Sequence, residues 1–315
     1  MSGLPRYAFL GPEGTFTEMA LRLMVSADEA EFVPVVDVPT ALGAVRSGEA
    51  DYAVVAIENT VEGGVTATLD TLAAGSPLVI LGEAVLPVEF ELVAPAGVTL
   101  DGVQRVCAHP HAWNQVRRWA NESLPGVTFV PASSNAAAAV AVASDGSVEG
   151  VAVDAALAPP GLGARLGLAV LADGVADVEH AATRFVRVGR PQAVPAPTGH
   201  DKTTLSVHLP TDRAGALLEM LEQFSVRGVN LSRIESRPRS DRPGEYSFSI
   251  DAMGHIAERR MAEALIGLKR TCPRVVFLGS YPAADPTPTP VAAGNVDAAF
   301  VEAEQWVEGL VEGRG

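Results

Sequence analysis

Short β-branched runs alternate with alanine-rich helical ones over the first 190 residues. Residues 7–10, 52–57, 105–108, 128–131 and 150–153 are apolar, brief and bounded by turn residues, which predicts buried strands. Between them, 17–25, 40–47, 66–74, 112–122 and 135–143 carry the helical period. This alternation predicts an α/β unit with largely parallel strands. The apolar passage 78–94 is interrupted by Gly82 and Pro87, so it reads as extended strands crossing from one lobe to a second.

Residues 191–199, reading PQAVPAPTG, stiffen the backbone and bury little, which places a linker at 191–200. After it, strands at 203–209, 229–236, 246–251 and 275–279 interleave with helices at 214–224 and 257–270. The order βαββαβ over 201–282 is ferredoxin-like. An acidic tail, 283–315, follows a second proline-rich stretch; within it, 296–310 either forms an amphipathic helix or lacks structure.

A chain of 315 residues that is 48% hydrophobic has material for two or three cores. Its formal charge of −15 leaves no clustered Lys and Arg for phosphates, so nucleic acid is not an expected partner. An anionic ligand must then be held by a few placed groups against the overall field. Cys107 and Cys272 have neither disulfide-framework nor metal-site spacing and read as core residues. The N-terminus has no leader pattern and no segment approaches ~18 apolar residues, so neither secretion nor membrane insertion is expected. The expected location is cytoplasmic.

Several segments have residue types suited to chemistry. Gly11-Pro12-Glu13-Gly14-Thr15-Phe16-Thr17-Glu18 follows a strand and opens a helix, with Thr15 and Glu18 at capping-box spacing. Its glycines let N–H groups converge, giving either an ordinary tight connection or a seat for a carboxylate. Glu58, Asn59 and Thr60 end a strand at the edge where open α/β sheets bind ligands. The amide and hydroxyl suit a substrate with carboxylates and a carbonyl, while Glu58 either accepts a proton or caps the next turn. His109 and His111 flank Pro110 without a carboxylate cluster, a poor pattern for zinc, and no metal is expected. Gln115 on that helix's first turn is a candidate contact, and Ser133, Ser134 and Asn135 cap the alanine-rich helix that follows. In the last unit, Asp212-Arg213-Ala214-Gly215-Ala216-Leu217-Leu218 enters a helix whose free N–H groups suit an amino acid's carboxylate. Asn230 and Glu235-Ser236-Arg237-Pro238 lie on the next strand. Each segment taken alone also has a plain structural reading as cap, turn or strand end.

Ala181-Ala182-Thr183-Arg184-Phe185, taken in order and spacing with the Gly11–Phe16 and Glu235–Pro238 segments, resembles the prephenate dehydratase family from about residue 7 to residue 282. The resemblance implies a bilobal catalytic region of type II periplasmic-binding-protein architecture over 1–190 and an ACT regulatory domain over 201–282. With no helical mutase segment ahead of the first strand, a monofunctional enzyme is expected. Prephenate would lose carbon dioxide and water to give phenylpyruvate, without a cofactor, with Thr183 as proton donor or relay. Thr15, Glu58, Asn59, Thr60, Gln115, Ser134, Arg184 and Phe185 would bind the substrate, Arg184 by pairing with a carboxylate and Phe185 by walling the ring. Gly215, Ala216, Leu217, Leu218, Asn230, Glu235, Ser236 and Arg237 would bind L-phenylalanine as effector, in a homodimer or homotetramer. The chain departs from the family at Ala56, where proline is usual, and at Ala181, where asparagine is common. Two rivals remain: an arogenate dehydratase, and a non-catalytic two-lobed sensor of amino acids or carboxylates.

Overall fold

A computed structural model describes residues 3–209, 213–238 and 246–314. Asp212, assigned above to the turn before a helix, lies outside them. By internal contacts the described chain forms two units: residues up to Thr68 with Ala84–Phe185, and Leu69–Glu83 with the residues from Val186 onward.

The first lobe opens with β1 (Arg6–Leu10), α1 (Phe16–Met24), β2 (Glu31–Val35), α2 (Val38–Ser47) and β3 (Tyr52–Asn59). β1 pairs in parallel with both β2 and β3, as the alternation predicts. Short β4 (Gly63–Gly64) folds back on β3, and α3 (Thr66–Ala73) leads to β5 (Val79–Pro87). Phe9, Leu21, Val54 and Phe185 share this lobe's core. β2 escapes the sequence reading because EFVPV carries Pro34 and a charged end; as the sheet's edge strand it can spare a donor.

The chain crosses to a second lobe through residues 88–90. There follow β6 (Glu91–Ala94), β7 (Arg105–Ala108), α4 (Pro110–Asn114), α5 (Arg117–Ser123), β8 (Thr128–Pro131) and α6 (Asn135–Ser144). A hairpin of β9 (Ser147–Val148) and β10 (Val151–Ala152), then β11 (Ala155–Ala158), α7 (Leu162–Arg165) and β12 (Ala169–Ala172) complete it. The sheet order is β12-β6-β11-β7-β8. Alternate residues enter separate cores: Val106, Ala108 and Leu157 on one face, Cys107, Ala156 and Ala158 on the other. Burial on both faces explains why β11 reads AALA without polar alternation and escapes strand patterning. The expected strand at 150–153 shrinks to the two-residue β10, and the expected helix 112–122 breaks into α4 and α5 at Gln115–Val116. The chain then returns to the first sheet as β13 (Ala182–Gly189), giving the order β2-β1-β3-β13-β5. Two crossings between two sheets make this the type II periplasmic-binding-protein-like fold.

In the second unit β14 (Asp201–His208), α8 (Ala216–Ser225), β15 (Leu231–Pro238), β16 (Tyr246–Met253), α9 (Arg259–Thr271) and β17 (Arg274–Pro282) form the βαββαβ pattern. The sheet is antiparallel in the order β15-β16-β14-β17. Met220, Phe224, Met261 and Leu268 of the helices cover Leu205, Val207 and Ile250. Asp251 accepts from Arg233 Nε at 2.8 Å and from Thr204 Oγ1 at 2.7 Å, forming a buried polar network. Glu83, wholly buried, accepts from Lys202 Nζ at 2.8 Å and from the Ala284 amide at 2.9 Å. The tail holds α10 (Asp297–Val311), an exposed helix. Among the described residues no helix is long and apolar enough to cross a membrane.

Candidate active site

Within the first unit, the N-terminal ends of α1, α4 and α6 open onto a cleft of about 1000 Å³. Thr15, His109 and Ser134 are the respective N-caps and all three line it. Each cap satisfies a local amide: Thr15 Oγ1 accepts from Glu18 N at 3.3 Å and Ser134 Oγ from Ala137 N at 3.0 Å. The longer helices α1 and α6 thereby direct the partial positive ends of their dipoles at the cleft.

The glycine-rich turn before α1 does not present its amide to a ligand. Gly14 N–H is taken by the carboxylate of Glu18, which also accepts from Arg22 Nε at 2.9 Å. Burial pushes the Glu18 pKa up, but the Gly14 amide and Arg22 outweigh it and hold the group below its ordinary value. Of the two readings of this turn, the Gly14 amide follows the plain one, a tight connection in which the chain supplies its own anion. Gly14 adopts φ +86°, and a Cβ there would come within 2.6 Å of Leu162 in the second lobe.

Asn59 and Thr183 meet at the cleft. Val61 N and Glu62 N donate to Asn59 Oδ1 at 2.8 and 3.2 Å, which orients the amide so that Nδ2 donates to Thr183 Oγ1 at 2.8 Å. Gln115 also lines the cleft; its Oε1 is buried without a hydrogen-bond partner. Thr15, Asn59, Gln115, Ser134 and Thr183 are thus brought together.

Four nominated residues are elsewhere. Arg184 points away from the cleft, its Nε donating to Glu58 Oε2 at 3.1 Å, so both groups are engaged within the protein instead of with a carboxylate ligand. The alternation of β13 explains it: neighbouring residues face opposite sides, and Thr183 takes the cleft side. Phe185 returns to that side but two residues farther along, in the core with Phe9 and Leu21, so it walls no ligand. Thr60 Oγ1 accepts from Ala182 N at 2.9 Å, and its own amide donates to Ala182 O at 2.9 Å, pinning the strand that carries Thr183.

The paired histidines have a structural arrangement. His111 Nδ1 lies 2.5 Å from Glu62 Oε1, and the two imidazoles stack at 5.0 Å. Burial and then His111 lower the His109 pKa against an opposing pull from Glu62, which favours its neutral form. No group of three or more His, Cys, Asp or Glu side chains among the described residues is arranged to hold a metal ion. Sequence reasoning missed Arg165, at the end of α7, which lines the cleft. It belongs to no motif, and a lone basic residue after Pro159-Pro160-Gly161 is the sole trace it leaves in sequence.

In the second unit, Gly215 caps α8 at φ +86°; Ala216 is buried while Leu217 and Leu218 are exposed. Both His208 and Arg237 lie opposite Ser247, so the C-terminal end of β15 and the approach to α8 are at the same end of the sheet. Ser236 there is exposed, whereas Glu235 pairs with Arg233 and Arg237, and Arg237 Nη2 with Asp70 at 3.0 Å. Asn230 does not join them. Its carbonyl accepts from Met253 N, and Met253 pairs with Lys202, six residues from His208 along β14, or about 20 Å away.

The family model described as prephenate dehydratase matches residues 7–193. A prephenate dehydratase of Amycolatopsis methanolica is 45% identical over 313 residues, covering 98% of this chain and 99% of its own. That of Mycobacterium tuberculosis strain H37Rv is 45% identical over 317 residues, covering 98% and 95%. A crystal structure of the Arthrobacter aurescens prephenate dehydratase, solved in complex with L-Phe, superposes with a TM-score of 0.90 at 50% identity, covering 98% and 99%.

Proposed function

The chain belongs to the prephenate dehydratase family, and on that premise we propose that Thr183 delivers the proton that turns the substrate's ring hydroxyl into water. Prephenate carries a carboxylate and a pyruvyl group on one ring carbon and a hydroxyl on the opposite one. Breaking the bond to the carboxylate releases carbon dioxide and leaves its electron pair in the ring; the ring becomes aromatic as the carbon–oxygen bond breaks. The departing oxygen takes one proton, replaced from solvent, so the dianion plus a proton yields phenylpyruvate, carbon dioxide and water.

The observation that carries this reading is the Asn59–Thr183 hydrogen bond. A hydroxyl has one proton and two acceptor sites. Since Asn59 donates to Thr183 Oγ1, that oxygen's own proton is left to point elsewhere. A threonine hydroxyl is a weak acid, so its effect comes from placement and from bonds that strengthen as charge builds on the leaving oxygen. Gln115 Oε1 accepts from the substrate, and the caps at Thr15 and Ser134 border the anion. Assaying phenylpyruvate from prephenate, and phenylalanine from arogenate, with the wild-type chain and Thr183→Ala tests the reading. Arogenate as the sole substrate would shift the assignment to the amine-bearing analogue, and no turnover of either would favour the sensor.

We further propose that residues 1–190 carry catalysis, 191–200 link, and 201–282 form an ACT domain that binds L-phenylalanine, with 283–315 as a tail. The L-Phe complex of the Arthrobacter relative supports L-phenylalanine as the ligand. Gly215 to Leu218 and Glu235 to Arg237 supply one part of that site; Asn230, at the opposite end of β15, joins it from a second copy of the chain in a homodimer or homotetramer. The enzyme acts in the cytoplasm.

A further inference from the structure

We infer that Arg165 is the residue that holds the substrate's pyruvyl carboxylate, an inference that rests on the dehydratase reading. The substrate is a dianion entering a protein of formal charge −15, so at least one fixed cation is needed at the cleft. Arg184, the obvious candidate from sequence, is committed to Glu58 away from the cleft. Of the two cleft-lining histidines, His109 is held toward its neutral form, and His111 is engaged by Glu62. Among the described residues that line the cleft, Arg165 is then the one lysine or arginine.

Its placement suits the task. α7 is docked tightly: Leu162 and Gly163 are buried, and a Cβ on Gly163 would come within 2.5 Å of Val93. The helix therefore fixes the Arg165 backbone while the side chain remains exposed. The nearby acids do not claim it. Glu18, whose charge it supports from a distance, is already bonded to the Gly14 amide and Arg22. A guanidinium can grip a carboxylate with two parallel hydrogen bonds.

The substrate's chemistry selects between its two carboxylates. An arginine on the departing carboxylate would stabilise the charge that must leave, favouring the ground state over the transition state. On the pyruvyl carboxylate, which persists in phenylpyruvate, the same bond strengthens binding throughout without opposing the reaction.

Steady-state kinetics of Arg165→Met and Arg165→Lys with prephenate, with phenylpyruvate as product inhibitor, test this. Arg165→Met should raise KM about 10–100-fold, the loss expected for a charge-assisted pair, and weaken phenylpyruvate inhibition by the same factor. Its kcat should stay within about threefold, as for a uniform binding contact, and Arg165→Lys should recover part of the loss. Unchanged KM and inhibition in Arg165→Met would overturn the inference. So would a raised KM with unaltered phenylpyruvate inhibition, which would put the arginine on the departing group. A wild-type chain that forms no phenylpyruvate would instead overturn the dehydratase reading.

Discussion

Asn59 Nδ2 donates to Thr183 Oγ1 at 2.8 Å across 124 residues of sequence, joining the end of β3 to the start of β13. The bond has a direction because Val61 and Glu62 amides occupy the Asn59 carbonyl oxygen. It therefore makes Thr183 Oγ1 an acceptor from Asn59 and leaves its own proton for a different partner, which a lone threonine at a strand start does not guarantee.

Replacing Thr183 with alanine should lower kcat by about 10²–10⁴-fold, the usual range for a lost proton donor. Thr183→Ser keeps the hydroxyl and should retain much more. Near-wild-type turnover by the alanine variant in a phenylpyruvate assay would remove Thr183 from the mechanism.

Asn59→Asp probes the direction of the bond. A carboxylate still accepts from Val61 and Glu62 but gives Thr183 nothing, so the threonine proton turns toward Asn59's replacement and away from the substrate. We expect a kcat loss of about 10²-fold or more with a melting temperature close to wild type. In the Thr183→Ala background the same change should cost little further, because both act on one proton. Additive losses would separate the two residues.

The sequence makes the site's capping and strand-edge positions readable because caps and βα turns are local. Thr15, Ser134 and Gln115 line the cleft as their helix starts predict. Side-chain direction is not local. Thr183-Arg184-Phe185 names three neighbours, but the pleat sends Arg184 to Glu58, and one more step along β13 takes Phe185 into the core. Arg165 is the converse case: a residue without a motif is brought to the cleft by the packing of Leu162 and Gly163. Strand β11 is hidden by composition, since AALA fits a helix until its sheet is known to be covered on both faces.

Glu18→Gln should destabilise the protein by about 1–3 kcal/mol at neutral pH, since it weakens charge-assisted bonds to the Gly14 amide and Arg22 at a buried site. The folded-state pKa is lowered, so this stability is present above the unfolded-state pKa of about 4.3 and is lost as pH falls through the folded value. Denaturant midpoints of wild type and variant should differ at pH 7 and converge in acid. A gap that widens in acid would reverse the sign of the coupling.

Gly215→Val and Ser236→Ala test the proposed effector site from two sides. Gly215 has open space where a Cβ would stand, so the obstacle to valine is its φ of +86°, a conformation that costs a β-branched residue about 1–3 kcal/mol. The α8 entry must shift. Ser236→Ala removes an exposed hydroxyl at the same end of the sheet. Calorimetry should show weaker phenylalanine binding in both variants; wild-type affinity in both would place the effector elsewhere.

Lys202→Met tests what holds the segment Leu69–Glu83 in the second unit. The Glu83 side chain is wholly buried, and Lys202 and the Ala284 amide both donate to it. Removing the lysine takes one charge-assisted hydrogen bond from a buried carboxylate, at a cost of about 1–3 kcal/mol. The melting temperature should fall markedly. Neutralising the acid as well, in Lys202→Met with Glu83→Gln, should recover part of the loss, since an amide is cheaper to bury than a carboxylate. A single variant as stable as wild type would remove the Lys202–Glu83 pair from the forces that hold this segment. The same pairing bears on dissecting the chain: a cut after Arg190 removes both Lys202 and Ala284, so the resulting fragment should melt lower than the full chain for this reason alone.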